Sequence, residues 1–527
     1  MNSSYIRNLA ALAEESLQTK GEYTALKFND TPHSNAEIAS NGRRLQTAFS
    51  QLGLQKKDIV LVCMVNDPIV HSVFLAGFRT GAALVPVVSQ LIASELEYII
   101  QHTTSKAVIT DIEKIDAMRQ AVRNAPHVKW IAVRGGVTDE SKTPREYRLE
   151  ELIEHPESTE FPDQTREDTA LILYTSGTTG KPKGVMLTHG NLLASGETLI
   201  DAAELHLRDH PMRSITALPM AHIFGISLMT VEFLIPPNFP RGYSVQEARF
   251  DAERMLQLIE RYKCTDLSVV PTMMSLILNH PHFDKYDLSS LFKVDIGGAP
   301  MAVELARQWK SRVGSHLRQR YGMTENSGKG STDRTSEPYY EGSVGRAYHS
   351  TDLLIVDDNG ISVPAGQSGE ILTAGPTTMK GYFKDPDATA LTLRDGGLHT
   401  GDIGYLNDEG WLYVVDRKND MIIKGGENIY PAILEDVLYK LPAIAEAAIV
   451  GVPHEIYGEE PMGFVVQLPD HDLEEADVLD HMKKYITKFK VPSRVLFRDS
   501  LPKSGVGKVL RRKLRDEVLR KTPGVEA

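Results

Sequence analysis

Three observations predict an α/β protein: a large N-terminal domain of two sheet layers and a small β unit, then a smaller α+β C-terminal domain. Short β-rich runs alternate with helical patterns from about residue 58, and the alternation resumes after residue 214. Between residues 343 and 416 it gives way to short β segments punctuated by glycine, proline and Asp-Asn-Gly turns. A chain of 527 residues also exceeds the roughly 250 to 300 residues at which one hydrophobic core stops growing, so more than one domain is expected.

The first layer is read from DIVLVCMV, ALVPVV, AVITD and WIAV as strands, with PIVHSVFLAGF, SELEYIIQHT and KIDAMRQAV as the intervening helices. In the second layer ITALPM, TDLSVV, KVDIGG and HLRQRYG are strands, and ERMLQLIERYK and AVELARQWKSRV are helices. TDLLIVD, GEILTAG and GWLYVV then suggest a small β-barrel or antiparallel sheet over about 343–416. These units form an expected core over 1–417, with the α/β part within about 1–340. From 420 to 527 the texture is mixed: LEDVLYK is helical, and AEAAIVGV and GFVVQL are strands. A helix near 473–490 is expected because Val478, Met482, Tyr485 and Phe489 recur at three- and four-residue spacing before Pro492.

Composition narrows the function. Fifty-eight basic against seventy acidic side chains give a net charge of −12, which argues against nucleic acid as a partner, since that normally needs a basic face. Two cysteines, Cys63 and Cys264, supply no disulfide framework and sit in no metal-binding spacing. No apolar run is long enough for a transmembrane segment; VFLAGF stops at Arg79. Charged residues occupy the place of a signal peptide's apolar region, so a cytoplasmic protein is expected.

The stretch from Tyr174 to Gly184, YTSGTTGKPKG, carries the most chemistry. Its three glycines allow backbone to approach an anion. Thr175, Ser176, Thr178 and Thr179 offer hydroxyl donors, and Lys181 and Lys183 offer charge. It is not a Walker A loop: the glycine that pattern needs is replaced by Thr175, and Pro182 follows the Gly-Lys pair.

YTSGTTGKPKGVMLTH resembles the phosphate-binding signature of the adenylate-forming superfamily. LPMAHIFG, GGAP, YGMTE, TGD, DRKNDMIIKGGENIYP and PKSGVGKVLR follow, each resembling a family motif in the family's order. The resemblance implies an acid–thiol ligase: carboxylic acid, ATP and CoA giving acyl-CoA, AMP and pyrophosphate through an acyl-adenylate, with Mg²⁺. It also implies a mobile C-terminal lid domain turning on a hinge near 418–419. Adenylation demands positioning and charge stabilisation. By resemblance Thr175, Ser176, Gly177, Thr178, Thr179, Gly180 and Lys183 hold the β- and γ-phosphates. Gly298, Ala299 and Pro300 lie along adenine, Tyr321 stacks on it, Gly322 beside it belongs to the same ATP-binding set, Thr324 bonds the α-phosphate and Glu325 holds the metal. Asp402 accepts from the ribose hydroxyls with help from Arg417, and Lys508 bridges carboxylate and nucleotide in the first half-reaction. Asn419 is the implied hinge, at a position where many members carry Asp or Lys. Lys424, Gly425 and Gly426 would form the CoA channel in the second half-reaction.

His222 resembles the family's gating histidine. With Ile223, Gly225, the Val270 to Met273 stretch, Gly297, Met323 and Ser327 it would wall the acyl pocket. No lysine or arginine is evident there, so an apolar monocarboxylic acid, aliphatic or aryl, is expected, and AHIFG tilts the reading toward medium- or long-chain fatty acids. The alternative is a stand-alone adenylation enzyme that loads the phosphopantetheine of a carrier protein. A monomer or homodimer is expected.

Overall fold

The computed structural model describes residues 8–160, 162–175, 182–418, 420–468, 471–503 and 507–521. The first sheet has eight strands. Its parallel part runs Thr169–Thr175, Ala83–Pro86, Ile59–Cys63, Ala107–Asp111, Trp130–Arg134, Arg145–Arg148. Lys183–Thr188 and Gly381–Tyr382 extend it antiparallel at one edge. Its strands are valine- and leucine-rich and buried on both faces, as helices covering a parallel sheet require. The helix Pro68–Thr80 illustrates the local logic. Asp67 caps it by accepting from the Ile69 N–H, Pro68 begins it, and left-handed Gly81 ends it.

The second sheet has nine strands. Arg213–Thr216, Asp266–Val269, Lys293–Gly297 and His316–Tyr321 are parallel neighbours. Beyond them lies Tyr243–Gln246, which pairs in parallel with Thr24–Phe28, a strand absent from the sequence reading. One face of this sheet packs Ile215, Leu267, Val269, Val294, Ile296 and Leu317 against its helices. The largest core fills the space around the helices Asn35–Gln51, Pro68–Thr80, His189–Ala202 and Ile223–Leu234, with Trp130 and Phe49 stacked within it.

The third unit is a five-stranded antiparallel sheet, Asp352–Val356, Gly369–Ala374, Gly397–Leu406, Leu393–Arg394 and Leu412–Arg417, around Ile355, Ile371 and Leu412. The chain from Ile422 builds a further sheet with its own cores, its long hairpin pairing Ile444–His454 with Gly458–Gln467.

The helix expected near 473–490 spans only Glu475–Met482. Val478 and Met482 are fully buried as the spacing requires, but Tyr485 and Phe489 are exposed. The chain tightens there: Lys484 and Tyr485 bond back three residues, and a 3₁₀ turn follows at Lys488–Lys490. Both cysteines are fully buried, and burial pushes each thiol up to about 12. Among the described residues no helix is long and apolar enough to cross a membrane.

Candidate active site

Two groups of the expected residues lie at the C-terminal ends of strands in the second sheet, where open α/β sheets bind ligands. Gly298, Ala299 and Pro300 leave the strand Lys293–Gly297, with Gly298 at φ +82°. Tyr321 ends the neighbouring strand. Gly322 follows where the backbone doubles back: a Cβ there would lie 2.3 Å from the carbonyl carbon of Gly328, so only glycine fits. A short 3₁₀ turn, Thr324–Asn326, then buries Thr324 and Glu325, and its Ser327 is held by donating to the Thr377 carbonyl at 2.7 Å.

Burial raises the pKa of Glu325 above the ordinary carboxylate value. Its Oε1 accepts from the Tyr382 hydroxyl at 3.0 Å, and the Met379 N–H donates to its backbone carbonyl at 2.8 Å. Lys183 Nζ lies 5.1 Å above the same tyrosine ring. Antiparallel pairing sets Thr175 opposite Lys183 at the base of the glycine-rich loop. Ser176, Gly177, Thr178, Thr179, Gly180 and Lys181 lie outside the described residues, as does the expected hinge Asn419.

Asp402 is buried on the strand Gly397–Leu406, directly opposite Arg417 on Leu412–Arg417. Its Oδ2 accepts from the Tyr321 hydroxyl at 2.8 Å, and its Oδ1 pairs with Arg417 Nε at 3.1 Å. Tyr321, Asp402 and Arg417 are thus one bonded unit.

His222 is the N-cap of the helix Ile223–Leu234, its Nδ1 accepting from the Phe224 N–H at 3.3 Å. Burial first, and then the Lys508 charge, lower its pKa to about 4, so the ring is neutral at pH 7. An Nδ1 that accepts leaves the proton on Nε2, which makes the ring's other edge a donor.

Lys508 arrives from the C-terminal unit. Burial lowers its pKa to about 8, with the Arg417 charge lowering it further and Asp402 opposing. The adjacent Gly507, at φ +80°, accepts through its carbonyl from Thr272 Oγ1 at 3.4 Å. Another contact ties this unit to the rest, the Ala432 N–H donating to Asp416 Oδ2 at 3.1 Å, and the Val303 N–H at the start of the helix Val303–Arg312 favours the charged form of the buried Asp436 carboxyl.

The CoA-channel candidates are not brought to Lys508. Lys424 is buried in its own unit, its ammonium donating to the Phe489 carbonyl at 3.0 Å and lying over the Tyr457 and Phe489 rings. Gly425 and Gly426 form the exposed turn beyond it, at φ +58° and +84°.

A cavity of about 140 Å³ lies between the helix Ile223–Leu234 and the second sheet. Of the expected acyl-pocket residues only Gly225 lines it; His222, Ile223, Gly297, Met323 and Ser327 do not. This cavity differs from the expected pocket in character as well as in lining, since Lys293 and Arg320 are among its walls. They alternate with core residues on strands whose second face is polar. That signal was visible in KVDIG and HLRQRY as charges at every second position. Tyr382 was also missed, since nothing local in GYFKDP marks it as the partner of Glu325.

A family model described as AMP-binding enzyme matches residues 13–383, and one described as AMP-binding enzyme C-terminal domain matches residues 434–508. A long-chain-fatty-acid–CoA ligase of Yersinia pestis is 34% identical over 528 residues, covering 94% of this chain and 93% of its own. A feruloyl-CoA synthase of Amycolatopsis sp is 32% identical, with coverage of 93% and 95%. Among solved structures, an anthranilate CoA ligase in complex with anthranoyl-AMP superposes with a TM-score of 0.89 at 25% identity, covering 99% of this chain and 100% of that one. ATP-bound MatB from Rhodopseudomonas palustris gives 0.86 at 29%, with coverage of 97% and 99%.

Proposed function

Because the chain belongs to the AMP-binding enzyme family, matching both its main and its C-terminal models, we propose that it is an ATP-dependent acyl-CoA ligase. It joins a carboxylic acid to CoA through an acyl-adenylate, with release of pyrophosphate and then AMP. The observation that carries this reading is the convergence of Lys508 from one unit on His222, Asp402 and Arg417 from the other. Two anions, an acid and a nucleotide, can meet only where cations offset their repulsion.

In the first half-reaction a carboxylate oxygen bonds to the α-phosphorus and the bond to pyrophosphate breaks. Lys508 bridges the acid and the nucleotide. His222, neutral and donating from Nε2, sits beside the acid. Asp402, already oriented by Tyr321 and Arg417, accepts from the ribose hydroxyls, for which an ionised carboxylate is suited. Thr324 bonds the α-phosphate, and Thr175, Lys183 and the loop between them hold the outer phosphates.

Glu325 fits a divalent cation. It is a buried carboxylate with a single side-chain partner, and among the described residues no group of three or more His, Cys, Asp or Glu side chains forms a cage of its own. Mg²⁺ takes such a site, one carboxylate plus substrate phosphates, and supplies charge neutralisation there.

In the second half-reaction the CoA sulfur bonds to the adenylate carbonyl carbon, AMP leaves and the thiol proton passes to solvent. Rotation of the C-terminal unit about the Arg417–Asp420 connection would exchange Lys508 for the Lys424–Gly426 turn. The acid's hydrocarbon body occupies the cavity beside Gly225. The relatives' names, fatty-acid and feruloyl alike, agree with an acid that is largely apolar.

The test is a panel of carboxylic acids followed for pyrophosphate and AMP release, with and without CoA. Acid-dependent pyrophosphate release, with AMP and acyl-CoA formed only when CoA is added, is expected. Absence of pyrophosphate release with every acid overturns the ligase reading, and a stall at adenylate in the presence of CoA overturns CoA as the acceptor.

A further inference from the structure

A parallel sheet covered on both sides is normally apolar on both faces. The second sheet is not. Against the core face of Leu267, Val294, Ile296 and Leu317 stands an opposite face of Ser268, Lys293, Asp295, Arg318 and Arg320. This face forms one wall of the 140 Å³ cavity, and Leu228 and Met229 of the helix Ile223–Leu234 form part of the other.

The charges on this wall are over-subscribed. Asp295 is shared by Arg320 Nη2 at 2.8 Å, Lys293 Nζ at 2.9 Å and Arg318 Nε at 3.6 Å. Asp266 is shared by Arg208 at 2.8 Å and Lys293 at 3.4 Å. Four cations thus divide two carboxylates. Glu204 and Asp333 also lie near Arg318, but Glu204 accepts from Thr335 and Ser336, and burial pushes Asp333 up to about 7. Donors are left over. Arg320 Nε and both Nη of Arg318 are buried with no hydrogen-bond partner, as is Asp295 Oδ1 on the acceptor side, and Arg320 lines the cavity together with Arg241 and Glu232. A buried donor without an acceptor carries an uncompensated desolvation cost, larger when charged, and a bound acceptor in the cavity would remove that cost. The wall also adjoins the reaction centre, because Arg320 directly precedes Tyr321 and Asp295 lies two residues before Gly297.

We propose that the preferred acid carries a second oxygen acceptor, a carboxylate or a hydroxyl further along its chain, that docks on Arg320 at the polar wall of this cavity. The inference rests on the ligase reading and narrows its substrate class: an apolar body against Leu228 and Met229, with an oxygenated edge or end facing the sheet.

The experiment compares hexanoate, ω-hydroxyhexanoate and adipate, and the decanoate series built the same way. Pyrophosphate release gives kcat/KM, and titration calorimetry of the same acids onto the full chain gives binding without turnover. An oxygenated acid is expected to exceed its plain counterpart about tenfold or more by both readouts, the ratio collapsing toward one in Arg320→Leu while KM for ATP holds. Arg320→Gln, which keeps a donor, should retain part of the preference and serves if the leucine variant does not fold. Preference of the wild-type protein for the plain acids, or a ratio unchanged in the Arg320 variants, overturns the inference. If no acid releases pyrophosphate the ligase reading fails, and the calorimetric ratios still decide this one.

Discussion

The C-terminal unit presents two lysines in opposite circumstances. Lys508 is pushed among the side chains of the other unit, with its pKa lowered to about 8 by burial and by Arg417. Lys424 spends its ammonium within its own unit, on the Phe489 carbonyl, next to a turn of two exposed glycines. On the proposed mechanism one segment is engaged and the other is held in reserve. A single orientation of the unit would then serve one of them at a time, as a two-step reaction with incompatible requirements demands.

Four measurements break or sharpen that contrast. Lys508→Ala is expected to reduce acyl-adenylate formation by about a thousandfold while largely sparing thioester formation from supplied acyl-adenylate, since only the first step asks a cation to bridge two anions. Equal loss of both steps would end the contrast. Gly425→Leu should do the reverse, lowering the CoA step by about ten- to a hundredfold with adenylation intact, because a side chain at φ +58° fills the turn at a strain of roughly 1–2 kcal/mol. Circular dichroism melting separates a blocked turn from an unfolded one. Third, kcat/KM for adenylation is expected to fall as pH rises through about 8, approaching tenfold per unit, as Lys508 in the free protein loses its proton. The rate of thioester formation from supplied adenylate should lack that limb. The smallest effect is expected for Asp436→Asn, which removes the carboxylate charge that the Val303 N–H favours across the seam. Adenylation should slow by a few-fold and the CoA step should not, and quench-flow measurement of each step would detect the asymmetry.

Much of this was legible in the sequence because the chemistry is local. The glycines, hydroxyls and lysines of Tyr174–Gly184, the YGMTE turn and the TGD stretch each hold their residues within a few positions of sequence. What was not legible depends on partners far along the chain. Tyr382 meets Glu325 only through the strand Gly381–Tyr382 added to the first sheet. The strand Thr24–Phe28 completes a sheet whose parallel neighbour lies beyond residue 240. The overlong helix reading at 473–490 failed because spacing alone does not report where i→i+4 bonding gives way to tighter turns. Arg320 and Lys293 were hidden differently: charges at every second position of a strand do not say what that face meets, and the structure turns it inward onto a cavity.

The burial of Cys63 and Cys264 has a practical consequence. With both thiols inside and pushed up to about 12, almost none of either is thiolate at neutral pH, so neither competes in disulfide exchange with a thiol substrate. The native chain is therefore close to silent toward maleimide reagents. A cysteine introduced on the exposed turn at Gly426 and another on the exposed face of the helix Pro271–Leu278 at Leu276 would be the two sites to take up dye, giving a fluorescence ruler on a background that needs no prior removal of cysteine.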